Sequence, residues 1–360
     1  MSSGWFSTLR LRQRPPGPVM DPVFPPPRIR AGDVVAGVAV ALVLIPQSLA
    51  YAEIAGLPAY VGLFAAALPP VAAAIVASSP YLQTGPVAMT ALLTYGALKP
   101  LATPGTGEYI ALAALLALVV GIVRVIIGLV GAGVISYFMS RPVVVGFTSG
   151  AAILIVASQI PTLFGAAPPD GKILYRAGWA LGNPDTWDWP SIVLALVAAL
   201  VIEIGRRIDP RVPGILIAVG IGLVYGSVAD FAGPAVADVP AGLPPFSLAL
   251  PWSSLLDLLL PGVVIALVGF AEASAISRTY ATQDRASWDA NREFVSQGLA
   301  NLASGVSGGF PVGGSFSRSS INKASGAKTR WSGAITGLAV LAFLPIAGIL
   351  EPLPRSVLAA

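Results

Sequence analysis

From about residue 33 onward the chain is a succession of long apolar blocks separated by short polar or Pro/Gly stretches. A helix needs about 20 mainly apolar residues to cross a bilayer, and most of these blocks are close to that length. They predict spans near Val34–Tyr51, Val61–Ala77, Ile110–Ile127, Val143–Phe164, Ile192–Ile204, Ile215–Val228, Leu255–Ile276, Phe294–Val306 and Trp331–Leu350. Two further apolar segments are too short to cross. One is Pro86–Leu98, opened by Gln83-Thr84-Gly85-Pro86. The other is Ser-rich, begins at Ser315, and is opened by Gly308-Gly309-Phe310-Pro311-Val312-Gly313-Gly314.

These interruptions change the picture. Extended Gly/Pro backbone at membrane depth leaves polar groups unpaired in lipid, so it is confined to places buried in protein or lining a polar cavity. Each interruption then leads into a helix start, where Pro suits a first turn and Ser suits a cap. The two breaks also fall in corresponding places. Each follows one complete span after a span carrying a polar residue, Gln47 in the first case and Glu272 in the second. Two half-helices starting near midplane, with their positive ends facing one point, are the arrangement of an inverted-repeat transporter.

Composition narrows the function. Of 360 residues, 55% are hydrophobic and 11% charged, against roughly 25% charged in a soluble domain. Cys and His are both absent, which excludes disulfides, Cys or His metal sites, haem ligation and a Ser-His pair. Ser149 in Gly146-Phe147-Thr148-Ser149-Gly150 therefore lacks the usual base, and no enzyme chemistry or cofactor is expected. The net charge of +4 forms no basic stripe, so nucleic acid is not an expected partner.

Residues 1–32, with Arg10, Arg12, Arg14, Arg28, Arg30 and Pro25-Pro26-Pro27, read as a flexible cytosolic segment. With the N-terminus inside, the cytoplasmic loops also take Arg141, Arg206, Arg207, Arg211, Arg285, Arg292, Lys323, Lys328 and Arg330. The outer loops take Lys99, Lys172, Arg176 and Arg355. That asymmetry follows the positive-inside rule and predicts a multi-pass protein of the inner (plasma) membrane with a cytoplasmic N-terminus. Arg124 and Arg278 are expected to snorkel toward the cytoplasm.

Several stretches resemble the SulP family of sulfate permeases, whose animal members are the solute carrier family 26 anion transporters. They are Gly32-Asp33-Val34-Val35-Ala36-Gly37 with Ile45-Pro46-Gln47-Ser48-Leu49-Ala50-Tyr51-Ala52; Ala55-Gly56-Leu57-Pro58 with Tyr60-Val61-Gly62-Leu63-Phe64; Thr84-Gly85-Pro86-Val87-Ala88; Ser140-Arg141-Pro142-Val143 with Gly146-Phe147; and Gly308 through Ser319. The resemblance implies an all-α polytopic fold of seven plus seven spans in inverted repeats, with half-helices at spans 3 and 10. It divides the chain into core spans 1–4 at 33–138, gate spans 5–7 at 139–230, core spans 8–11 at 254–350, and the start of span 12 at 351–360. By that pattern the second repeat is incomplete, and spans 12–14 and a cytosolic STAS domain would lie beyond residue 360. The family also implies a tendency to homodimers.

The candidate site gathers where the breaks meet. Helix N-termini offer unpaired N–H groups and partial positive charge to a small anion. Pro86, Val87 and Ala88 supply one end, and Ser315, Phe316, Ser317 and Arg318 the other, although the serines could simply cap the helix. Gln47 and Tyr51 lie four apart and share a helical face. Spacing leaves open whether they bind an anion or serve as helix glue and interface belt; the resemblance assigns both to the pocket. Arg318 could attract an anion, pair with Glu272 or snorkel. Glu272 reads as the one acidic residue well inside a span, where a charge costs about 3 kcal/mol or more unless paired or hydrated. The resemblance ties an acid at that place to cation coupling, with a proton favoured over sodium, and a structural ion pair is the alternative. Sulfate is the leading substrate; bicarbonate, chloride, a dicarboxylate, and a non-transporting remnant are the alternatives.

Overall fold

The structure is a computed structural model that describes residues 28–135, 141–208, 213–229, 231–236, 239–240 and 242–360. Most of the expected N-terminal segment (residues 1–27), Ser140 and Arg211 lie outside the described residues. The first part of the chain comprises α1 (Ala31–Ile54), α2 (Ala59–Val76), strand β1 (Gln83–Gly85), α3 (Ala88–Leu98) and α4 (Gly107–Leu129). Then come α5 (Arg141–Leu163), α6 (Ile173–Gly182), α7 (Trp189–Ile208) and α8 (Gly214–Val228). The last part contains α9 (Leu255–Gln283), α10 (Ala290–Val306), strand β2 (Gly313–Ser315), α11 (Phe316–Ala324), α12 (Trp331–Phe343), a 3-10 stretch Leu344–Leu350, and α13 (Arg355–Ala359). The order long helix, helix, strand, short helix, helix thus occurs twice.

Among the described residues, five helical stretches are long and apolar enough to cross a membrane: Ala31–Ile54, Ala59–Val76, Gly107–Leu129, Trp252–Gln283 and Trp331–Leu350. Shorter apolar helices are Ala88–Leu98, Ser149–Leu163 and Gly214–Val228. Their outward faces carry large apolar side chains such as Val35, Leu42, Ile126, Ile153, Leu256 and Leu260, all solvent-exposed in the isolated chain. A surface of this kind is stable against acyl chains rather than water.

Two features differ from the sequence expectation. The fold is not entirely helical: Gln83, Thr84 and Gly85 pair antiparallel with Ser315, Gly314 and Gly313. The interrupted segments meet part of their backbone hydrogen-bonding needs on each other and the rest on side chains, such as the Ser319 hydroxyl, which accepts from Gln83 N–H at 2.9 Å, as a dry interior demands. The short helices accordingly begin slightly later than the breaks suggested, at Ala88 and Phe316. Helix α6, an amphipathic helix between two spans, has no counterpart in the expected segments.

Small residues let this core close. Helix α10 lies along α4 and α2, and α12 lies against α2 and α1. A Cβ on Gly62 would stand 1.9 Å from the Ser48 carbonyl oxygen, and one on Gly314 would come 3.1 Å from Ala273 Cα, so these backbones approach as only glycine allows. The end of α2 is capped from outside its own helix: Arg292 donates to the carbonyls of Val76 (2.6 Å) and Ala77 (3.1 Å). At the entrance of α1, Asp33 is fully buried and accepts from the N–H groups of Arg30, Lys328 and Thr329 and from the Thr329 hydroxyl. Just past α9, Asp284 holds Lys323 of α11 at 2.7 Å. The Lys323 ammonium and the Tyr81 hydroxyl keep the Asp284 carboxyl below its ordinary range.

Candidate functional site

A cavity of about 550 Å³ opens beside the strand pair. Its walls come from α1 through Tyr51, the start of α3 through Val87 and Ala88, α9 through Glu272, and the start of α11 through Ser315, Phe316 and Ser317. Ala151, Ala152 and Ile155 of α5 close the remaining side. Val87 is extended (φ −140°) and precedes the first turn of α3, while Ser315 occupies the same place before α11 (φ −115°). The Ser315 hydroxyl accepts from the Arg318 N–H at 3.4 Å and sits 3.2 Å from the Ser317 hydroxyl. Two helix N-termini therefore reach one cavity, and the first-turn N–H groups of each have no partner within their own helix. The Phe316 ring is half exposed and stacks on Tyr280, with centroids 6.4 Å apart and planes 12° apart.

The remaining candidates stand behind the wall. Arg318 is fully buried; its guanidinium donates to the Pro86 carbonyl (2.8 Å) and to Gln47 Oε1 (3.3 Å). It makes no ion pair with Glu272 among the described residues, so the pairing considered from sequence does not form, and complete burial rules out snorkelling. Gln47 spends its carbonyl oxygen on Arg318 and does not line the cavity, whereas Tyr51 does. Positions four apart on a helix differ by about 40°, enough to turn one toward the strand pair and the other toward the cavity. Pro86 likewise acts through its carbonyl, which fixes Arg318 across the strand pair.

Sequence reasoning missed a second buried cation. Arg124 does not snorkel: it is fully buried in α4 and donates to the carbonyls of Ala266 (3.1 Å), Ile265 (3.2 Å) and Val312 (2.9 Å). Asn301 of α10 grips the same segment, accepting from Val312 N–H at 2.9 Å and donating to its carbonyl at 3.1 Å. The approach to β2 is thus pinned from two helices. Glu272 is not alone as an interior acid either. Glu293 of α10 is fully buried and accepts from Ser79 N–H (2.8 Å) and Trp288 Nε1 (3.2 Å). Gln297, one turn on, donates to the Thr84 hydroxyl of β1 at 2.7 Å.

A neighbouring cavity of about 670 Å³, lined by Leu92, Leu93, Leu154, Leu260 and Val264, shares Met89 and Ala151 with the first but is almost wholly apolar.

Apolar spans in this number, wrapped around a pair of buried strands, define a multi-pass integral membrane protein. The model of the sulfate permease family matches residues 31–360, and the chain belongs to that family. It is 34% identical over 334 residues to a probable sulfate transporter of Mycobacterium tuberculosis, covering 91% of this chain and 60% of that one. It is 33% identical over 341 residues to the chloroplastic sulfate transporter 4.1 of Arabidopsis thaliana, covering 91% and 50% respectively. This chain thus spans between half and two thirds of the length of those relatives. The fold matches the transmembrane domain of a cyanobacterial bicarbonate transporter, BicA, with a TM-score of 0.83 and 26% identity, over 91% of this chain and 86% of that domain.

Proposed function

We propose that the chain is the membrane part of a secondary active anion transporter, with sulfate as substrate and a proton as the coupling ion. The observation that carries this reading is the shared cavity: two helix N-termini, the hydroxyls of Ser315, Ser317 and Tyr51, and one carboxyl group, Glu272, all line it. The N-termini and hydroxyls supply N–H and O–H donors to an oxyanion without requiring a full counter-charge. Arg318 and Arg124, fixed behind the wall, add positive field without occupying the site.

Glu272 faces the same cavity. A carboxylate there repels an incoming anion and a neutral carboxyl does not, so protonation and anion binding favour each other. That is the linkage a proton–anion symporter requires. Sodium is the alternative coupling ion. The segments α1–α4 and α9–α12, with their repeated element order, form the two inverted halves of the core, and α5–α8 with α13 form the gate against which it moves. Bicarbonate is the second reading of the substrate, favoured by the similarity to BicA.

Uptake of labelled sulfate into proteoliposomes under an inward proton gradient tests the proposal. The account expects uptake above empty liposomes, and loss of it in Ser317→Trp, whose indole fills the cavity between the helix ends. Competition by bicarbonate but not sulfate would move the substrate to the second reading. Binding without any uptake would mark a non-transporting protein.

A further inference from the structure

A separate cavity of about 420 Å³ lies at the C-terminal end of α1, just past Tyr51. Two arginines and one glutamate line it: Arg176 of α6, Arg355 of α13, and Glu53. Arg355 Nε stands 3.0 Å from Glu53 Oε1, with side-chain exposures of 43% and 16%. The Arg176 side chain has no hydrogen-bond or ion-pair partner among the described residues, and its Nε is shielded from solvent. Ser158 and Gln159 of α5 add polar groups to the same wall. The rim is fixed by backbone: Gly105 N–H donates to the Gly56 carbonyl at 3.0 Å, and the Tyr109 hydroxyl donates to the Ala55 carbonyl at 2.8 Å. Gly56 adopts φ +76°, and a Cβ there would meet Tyr95 at 2.9 Å.

Two cations against one anion leave this lining with an excess positive charge and an idle set of planar donors. A guanidinium fork matches the oxygens of a tetrahedral or planar oxyanion in two parallel hydrogen bonds. We propose that this cavity is a second anion site, a vestibule that takes a small oxyanion between Arg176 and Arg355, and that Glu53 holds Arg355 while the site is empty. An arriving anion competes with Glu53 for Arg355. The Glu53–Arg355 pair joins α1 to α13 two residues past Tyr51 of the central cavity. The inference rests on charge and geometry at this end of the molecule, not on the role given to the central cavity.

Equilibrium binding of radiolabelled inorganic sulfate to the purified full chain in detergent tests it. Ser317→Trp, which fills only the central cavity, should retain one saturable site. Adding Arg176→Gln and Arg355→Gln in that background should abolish the remaining binding, while Arg176→Lys with Arg355→Lys should weaken it and retain the fold. Glu53→Gln should tighten the residual site about fivefold, the scale of a partly exposed ion pair. Loss of all binding in Ser317→Trp alone, or residual binding indifferent to both arginine pairs, overturns the vestibule. If Ser317→Trp keeps wild-type stoichiometry and the arginine changes remove one site, the vestibule stands and the central-cavity reading falls.

Discussion

Arg318 and Glu272 flank the same helix end with opposite charges, yet they do different work. Arg318 is committed to Pro86 and Gln47, so it holds the strand pair together and cannot swing into the cavity without breaking both contacts. Glu272 lines the cavity directly and, in the proposed mechanism, is the group that changes charge as the occupant changes. Glu272→Gln mimics the neutral state permanently. It is expected to abolish uptake driven by a pH gradient while sparing exchange of anion for anion, measured in the same proteoliposomes. Unchanged pH dependence would remove Glu272 from coupling. At this scale the sequence was legible in part. Tyr51, Val87, Ala88, Ser315, Phe316, Ser317 and Glu272 face one cavity, and these are positions where polar groups or backbone breaks interrupt an apolar pattern. Gln47, Pro86 and Arg318 stand behind it, because spacing along a helix cannot say which of two packed neighbours a side chain meets. Arg124 was misread for the same reason: a lone arginine in an apolar helix looks able to reach the surface, and its carbonyl partners come from α9 and the approach to β2. Glu293 went unnoticed because the predicted span began at Phe294, one residue later.

At the scale of elements, the strand pair is the keystone of the site, since its two strands deliver the starts of α3 and α11. Gly and Pro in the sequence announced extended backbone, but not that the two stretches, far apart in the chain, would pair with each other. Residues of α10 keep the pair in place. This helix has a buried polar face of Glu293, Ser296, Gln297, Asn301 and Ser304, which made it the least apolar of the predicted spans. Asn301→Leu would leave the Val312 N–H buried without an acceptor, a cost of about 1–3 kcal/mol. The expected outcome is a lower unfolding temperature in detergent together with weaker sulfate binding. A fall in stability with unchanged binding would show that the approach to β2 does not set the site.

The whole molecule was the most legible scale. Apolar block lengths gave the membrane class, and collinear motifs gave the family, whose model matches nearly the entire described chain. Boundaries were less accurate because helices continue past their apolar stretch: α9 runs to Gln283 where the apolar block ended at Ile276, and α7 includes Arg206 and Arg207. The charge asymmetry predicts an orientation with the N-terminus inside, and the chain's lack of cysteine makes it directly measurable. In intact cells Thr103→Cys, in the α3–α4 connection, should react with a membrane-impermeant maleimide, whereas Ser287→Cys, in the α9–α10 connection, should react only after permeabilisation. The reverse pattern would invert the proposed topology.

The central claim is that an anion sits between the first turns of α3 and α11. A structure determined with selenate in place of sulfate locates it through anomalous scattering from selenium. The account predicts a peak within hydrogen-bonding reach of the backbone around Ala88 and Ser317, beside the Ser315 and Ser317 hydroxyls. A gap between those helix ends that stays empty at saturating selenate would contradict it.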